Sequence, residues 1–282
     1  MHIFITGAGG QLGRALSDAF LGGHAVMAYP RAALDVTDRQ AVRAAVRAAK
    51  PDAAIHCAAW TDVDGCERDP RRARLVNAEG ARHVAEALPR SAALVYVSTD
   101  FVFSGRKKTP YVENDKPAPP NVYGKTKREG ELHALRHPRA YVVRTSWLYG
   151  LHGRHFVGAV LAKAEAGEAL RVVRDQVGAP TFTFDLAQQI KALLEREISP
   201  GVYHATNGGA CSRYEFAKAI LGEYNSMKNV RVAGIRSAQM RRPAKRPLNS
   251  RLSNEKLRRT GVPLLRHWRA ALRHYCRLTA LR

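Results

Sequence analysis

The chain has 282 residues, 45% of them apolar and 25% charged, with ordinary Gly and Pro. That is the composition of one large globular domain or two unequal lobes, and it excludes a disordered, collagen-like or low-complexity chain. Lys and Arg number 46 against 24 acids, a net of +22, and residues 225–282 hold 16 of those basic residues against one acid, Glu255, so an anionic partner is expected: a nucleotide diphosphate, a nucleic acid or an acidic membrane surface.

The longest uncharged apolar stretch, 53–60, falls far short of the ~20 residues of a membrane helix. The opening Met-His-Ile-Phe-Ile-Thr-Gly lacks a basic n-region, so neither a span nor a signal peptide is expected and the location read is cytoplasmic. Cys57, Cys66, Cys211 and Cys276 form no CxxC pair and read as reduced thiols. His267, His274 and Cys276 lie close in sequence but lack a fourth ligand at a usual spacing, so no metal site is expected.

In chain order, a short strand over 2–5 meets a glycine turn over 7–13, and a helix over 11–21 carries Leu12, Leu16 and Phe20 at helical spacing. A second strand spans 24–29. Thr37-Asp38-Arg39-Gln40 resembles a capping box opening a helix to Lys50, where Pro51 stops it. The third strand covers 53–57. Asp69-Pro70 starts a helix to Leu88. Strands over 94–98 and 140–144 flank a Pro-rich connection, 105–121, and a helix from Tyr123 to Leu135. Strands alternating with helices at this interval predict a doubly wound α/β fold with a parallel sheet.

Beyond Gly150 the rhythm loosens. Helices are expected over 156–166, 184–197, 212–223 (opened by a Ser212–Glu215 capping box) and 266–278, with a strand over 170–173. The division expected is 1–150 as a dinucleotide-binding domain to which 181–206 returns, and 151–180 with 207–282 as a smaller α/β substrate lobe.

Gly7-Ala-Gly-Gly-Gln-Leu-Gly13 follows a strand and opens a helix, the setting in which glycines permit close backbone approach and a pyrophosphate sits on free helical N–H groups. The segment closing the second strand, Tyr29-Pro30-Arg31, has no acid for a ribose 2′-OH. Arg31 suits a 2′-phosphate instead, so NADP is favoured over NAD, with Asp35 and Val36 beside the adenine. Tyr-x-x-x-Lys occurs as Tyr123/Lys127, Tyr214/Lys218 and Tyr224/Lys228. Residues at i and i+4 share a helix face, so an ammonium can pull a phenol down from about 10. Only Tyr123 follows a hydroxyl pair, Ser98-Thr99, at the C-terminal end of an expected parallel strand, and Tyr214 and Tyr224 read as structural.

Together these features resemble the extended short-chain dehydrogenase/reductase family, a Rossmann-type fold. Five further runs narrow the resemblance to its dTDP-4-dehydrorhamnose reductase branch: His56-Cys-Ala-Ala-Trp-Thr-Asp-Val-Asp64, Val97-Ser-Thr-Asp-Phe-Val-Phe103, Asn121-Val-Tyr-Gly-Lys-Thr-Lys127, Arg144-Thr-Ser-Trp-Leu-Tyr-Gly150 and Asp175-Gln-Val-Gly-Ala-Pro-Thr181. Arg246-Pro247 followed by Ser250 fits as well.

The resemblance implies that Tyr123 protonates the oxygen at sugar C4, that Thr99 hydrogen-bonds the ketone, and that Lys127 holds the nicotinamide ribose and tunes Tyr123. Gly10, Gln11 and Leu12, with Ala58, Ala59 and Trp60, would line the cofactor, NADPH or failing that NADH. Val63, Asp100 and Trp147 would hold the sugar. It further implies reduction of a dTDP-4-keto-6-deoxyhexose to dTDP-L-rhamnose, a precursor of cell-surface polysaccharide such as lipopolysaccharide, and leaves open a homodimer and a Mg²⁺ ion that the sequence does not reveal. Phe101, Trp60 and Ser250-Arg-Leu-Ser-Asn254 depart from the branch pattern. The basic Arg241, Arg242 and Arg246 are candidates for the substrate diphosphate. The rivals are another nucleotide-sugar 4-ketoreductase, a non-catalytic NADP-binding subunit, and a nucleic-acid binder, for which no specific motif is present.

Overall fold

A computed structural model describes residues 1–224, 227 and 229–280. Lys228, and with it the third Tyr-x-x-x-Lys pairing, lies outside the described residues. The chain runs β1 (His2–Thr6), α1 (Gln11–Phe20), β2 (Ala25–Tyr29), α2 (Arg39–Ala49), β3 (Ala53–His56), α3 (Val63–Arg68), α4 (Pro70–Arg74), a π-helical turn over Leu75–Glu79, α5 (Gly80–Ala87), β4 (Ala93–Thr99), α6 (Val122–Ala134) and β5 (Ala140–Thr145). It continues through β6 (Leu148–Tyr149), α7 (Phe156–Glu165), β7 (Leu170–Val173), β8 (Val177–Gly178), β9 (Thr181–Phe182), α8 (Thr183–Glu195), β10 (Gly201–His204), β11 (Cys211–Ser212), α9 (Arg213–Gly222), β12 (Val232–Ile235), α10 (Glu255–Arg259) and α11 (Trp268–Ala280).

Six strands form one sheet in the order β10-β5-β4-β3-β1-β2, every neighbouring pair parallel. The central strands β1, β3, β4 and β5 are buried on both faces, and their alternate side chains feed the core on either side of the sheet. Ile3, Ile5, Val95, Val97, Tyr141 and Val143 face α1 and α8. Phe4, Leu94, Tyr96 and Val142 face the other way, where Val42 and Val46 of α2 and Val84 of α5 cover them. β2 lies on one side of β1 and β3 on the other, so the chain reverses its winding there. Open α/β sheets bind ligands at such a switch point, outside the carboxyl ends of the strands.

Two helix starts differ from expectation. Asp38, not Thr37, caps α2, its carboxylate accepting from the N–H groups of Gln40 and Ala41. Thr37 instead donates to Asp35 through N–H and hydroxyl, at 2.9 and 2.8 Å. The segment expected to form one helix from Pro70 to Leu88 is interrupted by the π turn, and α3, capped by Asp62, precedes it unannounced. At Ser212 the expected box is formed, with both reciprocal bonds to Glu215 present. Outside the five strands expected for the main sheet, β7 was the one strand with a legible signal; β10 and the other members of the three short pairings, β6–β9, β7–β12 and β8–β11, had none.

A second core gathers α7, α9 and α11, with Trp268, Phe216, Phe182 and Tyr149 at its centre. Asp64 of α3 takes a two-pronged bond from Arg246 (2.6 and 2.7 Å), and Asn121 Nδ2 donates to the Lys245 carbonyl at 2.6 Å. These contacts bring residues 244–246 against the start of α6.

α6 is fastened to the sheet by charge. Arg144 on β5 and Glu131 on α6 are both buried, and the guanidinium donates to both carboxylate oxygens at 2.8 Å. Removing one partner of such a pair leaves an uncompensated buried charge. Arg144→Met should therefore lose about 3–5 kcal/mol of stability, read as a lower urea midpoint at unchanged slope; a loss below about 1 kcal/mol would mean that the pair is dispensable.

Candidate active site

A cavity of about 670 Å³ opens at the carboxyl ends of the parallel strands, within the size range of small-molecule sites. Its floor is the glycine loop. Gly7 has φ +69°, and a Cβ there would lie 2.6 Å from the Ala58 nitrogen; at Gly13 a Cβ would meet the Gly7 carbonyl and Ala8. Both glycines are thus required by close backbone approach. No side chain caps α1 at Gly10, so the first N–H groups of the helix remain available to an anion.

Of the residues expected to bind cofactor, Gly7, Gly10, Gln11, Leu12, Gly13, Arg31, Asp35, Val36, Ala58, Ala59, Trp60, Tyr123 and Lys127 all line this one cavity. Thr99, Asp100 and Trp147 line it too. Val63 does not: it opens α3 and is absent from the cavity wall. Arg31 lies 3.9 Å from Asp35 with both side chains largely exposed, a weak pairing that leaves its guanidinium open.

Tyr123 and Lys127 both reach the cavity wall, and burial acts on each of them. Lys127 donates to the Val97 carbonyl at 2.7 Å, and its ammonium lies 4.2 Å from the Tyr96 ring centre. Burial drives it down to about 7, with Glu131 and Cys57 pulling the other way. The Tyr123 phenol is not lowered by this ammonium. Burial raises it above its ordinary value, the Thr99 hydroxyl opposing and Asp100 adding to the rise. The cause is desolvation, which disfavours the phenolate more than a retracted ammonium favours it.

Asp100 is buried at the end of β4, its Oδ1 accepting from the Thr99 hydroxyl at 3.1 Å while Oδ2 has no partner among the described residues. Burial lifts the carboxyl to about 6, against the Ser250 and Thr99 hydroxyls and the charge of Arg213. Phe101 presents its ring edge to Tyr123, with centres 5.8 Å apart.

Sequence reasoning missed three contributors. Asn77, buried in the π turn, accepts from the Trp60 N–H at 2.8 Å and donates to the Trp60 carbonyl and the Thr126 hydroxyl, which fixes the loop after β3 against α6. Arg72 lines the cavity and stacks 4.6 Å from the Trp60 ring centre. Residues 153–155 cover the mouth, with Gln11 Nε2 donating to the Arg154 carbonyl at 3.1 Å. Only the Asp69 cap, whose carboxylate accepts from the Arg72 N–H, hinted at any of them.

Tyr214 packs against the second core and is not in the cavity wall. His274 and His267 do not join Cys276 in a ligand cluster. Among the described residues the group close enough to ligate a cation is Glu79, Glu129 and His133, where Arg74 already bridges the two carboxylates at 2.9 and 2.6 Å. No described helix is long and apolar enough to cross a membrane.

Comparison with known proteins bears on this arrangement over the whole chain. A probable dTDP-4,6-dihydroxy-2-methyloxan-3-one 4-ketoreductase of Streptomyces antibioticus is 43% identical, covering 97% of this chain and 94% of its own. The crystal structure of a dTDP-4-dehydrorhamnose reductase from Clostridium acetobutylicum superposes with a TM-score of 0.95 at 38% identity, over 99% of this chain and 100% of that one. That of a dTDP-4-dehydrorhamnose reductase from Bacillus anthracis, in complex with NADP, gives 0.94 at 37% identity over 98% of each. The model of the RmlD substrate binding domain matches residues 1–280, and the chain belongs to that family.

Proposed function

We propose that the chain reduces dTDP-4-dehydro-β-L-rhamnose to dTDP-L-rhamnose with NADPH, in the cytoplasm, for cell-surface polysaccharide. The observation that carries this reading is the meeting of Thr99, Tyr123 and Lys127 in the wall of the same cavity as the glycine loop. The relatives named for this reaction, one of them bound to NADP, support the choice of substrate and cofactor. In this reading residues 1–150 with 181–206 serve the cofactor, and 151–180 with 207–282 serve the sugar nucleotide.

The cradle fits a dinucleotide. Gly7, Gly10, Gln11, Leu12 and Gly13 would hold the pyrophosphate, Asp35 and Val36 the adenine, Arg31 a 2′-phosphate, and Ala58, Ala59 and Trp60 the wall beyond. Bound there, the reduced nicotinamide supplies a hydride. Carbonyl reduction builds negative charge on the C4 oxygen, which a positioned donor must neutralise. A phenol raised by burial enters that step fully protonated, so Tyr123 is set as the acid rather than as a resting phenolate. Thr99 would swing its one hydroxyl proton from Asp100 to the same oxygen as a second donor, and Lys127 would hold the ribose. Asp100, with one free oxygen, accepts from sugar hydroxyls beside Trp147.

A second reading, another nucleotide-sugar 4-ketoreductase, is favoured by the Streptomyces antibioticus relative. The two separate in one assay: NADPH oxidation with substrate generated from dTDP-glucose by the upstream dehydratase, with and without the epimerase. Epimerase-dependent turnover supports the rhamnose reading, and turnover without it supports the second. NADPH binding with no turnover on either would leave a non-catalytic role.

Tyr123→Phe should lower kcat by about 10²–10⁴-fold with NADPH binding retained; retained turnover would remove Tyr123 as the acid. Arg31→Ala should raise KM for NADPH about tenfold and leave that for NADH unchanged, consistent with loss of one charge-assisted hydrogen bond. Asp100 accepts on both oxygens, and with full charge, only when ionised, and protonation turns one oxygen into a donor, so kcat/KM should fall as pH drops through about 6. Asp100→Asn should abolish that acid limb, and an unaltered limb would assign it to another group.

A further inference from the structure

Arg213 is the first residue of α9, immediately after the Ser212 cap. It is held from both sides: β11 pairs antiparallel with β8, and the Arg213 N–H donates to the Gln176 carbonyl at 3.2 Å. Its guanidinium carbon lies 3.6 Å from the centre of the Trp147 ring and 5.0 Å from that of Phe156. The indole beneath it is itself fixed. Trp147 has φ +48°, a conformation costly for a bulky residue, and only a glycine at 178 leaves it room, since a Cβ there would lie 2.6 Å from Cε2.

Three other arginines that tie elements of the fold together are paired. Arg144 binds Glu131, Arg246 binds Asp64 and Arg266 binds Asp185. Arg213 makes no side-chain hydrogen bond or ion pair with any described residue. Its surroundings also disfavour a cation. Burial draws its pKa down to about 10, Asp100 and Cys211 opposing, while Arg242 and Arg246 add like charge. The N-terminus of α9 contributes further positive potential. A half-buried guanidinium that makes no direct ion pair, in a positive field that Asp100 only partly offsets, favours the arrival of an anion. Its place is next to the indole and the carboxylate that face the sugar, one linkage from where a sugar nucleotide carries its phosphates.

We propose that Arg213 binds the diphosphate of the sugar-nucleotide substrate, its fork held ready by stacking on Trp147. This rests on the reading above, and it replaces Arg246, whose guanidinium is spent on Asp64. A planar fork suits phosphate oxygens better than an ammonium does.

The probe is dTDP, which has the diphosphate but no sugar, titrated calorimetrically into the NADP-loaded protein. Arg213→Met should weaken dTDP about 10–100-fold and Arg213→Lys less, the size of a lost hydrogen bond between charged groups, with NADPH affinity unchanged in both. Should Arg213→Met fail to retain NADPH, Arg213→Lys carries the test, with a weakening of at least about threefold expected. Unchanged dTDP affinity with impaired turnover would mean that Arg213 acts only through Trp147, and would overturn the proposal. A wild-type protein that takes up NADPH but no dTDP would instead sink the sugar-nucleotide reading, and this inference with it.

Discussion

Glu131 accepts four hydrogen bonds, two from Arg144 and one each from Ser98 and Arg128, and through them a single buried carboxylate fastens α6 to β4 and β5. Burial would raise this acid, yet Arg144, Ser98 and Arg128 together hold it below its ordinary value. The pair is favourable only because every lone pair is satisfied, as the desolvation of both ions demands. Tyr123, Lys127 and Glu131 follow at intervals of four on one face of α6, so fixing Glu131 fixes the register of the other two. Tyr96 adds a second tie, its hydroxyl donating to the Lys127 and Asn77 carbonyls at 3.2 Å, and Gly130 leaves the space it occupies.

The same helix therefore carries a structural charge and the two groups proposed to react, and their electrostatics interact. Glu131 raises the Lys127 ammonium that burial lowers. The balance leaves a lysine near neutrality in its titration and a tyrosine that keeps its proton. For a reductase this division is apt: the proton donor must be loaded before charge develops on the substrate oxygen, whereas a lowered phenol would suit the reverse reaction.

What the sequence disclosed follows from how local each constraint is. The glycine loop is legible because Gly7 and Gly13 answer steric demands within a few residues of themselves, and strands β1, β3, β4 and β5 are legible because burial on both faces leaves near-continuous apolar runs. The Asp38 cap was blurred by Thr37, a hydroxyl one residue too early that turns back to Asp35. The π turn could not be read, because its cause is tertiary: Asn77 is drawn inward to bind both Trp60 and Thr126. Val63, carried over by resemblance, lands on the first turn of α3 and outside the cavity wall. Trp147 had a place in a motif, but its positive φ and its dependence on Gly178, 31 residues on, are properties of packing alone.

The net charge of +22 is likewise less informative than its local partition. In the C-terminal segment Arg258 and Arg259 share Glu255, whose carboxyl they hold down to about 2, while Arg246 and Arg266 are committed to Asp64 and Asp185 in other parts of the chain. These pairs join elements or solvate helix faces. A guanidinium with no direct ion pair is a different object, since the nearby Asp100 offsets its charge only through space. Composition counts Arg213 equally with the other basic residues, and only the positions of Trp147, Asp100 and the start of α9 separate it from them.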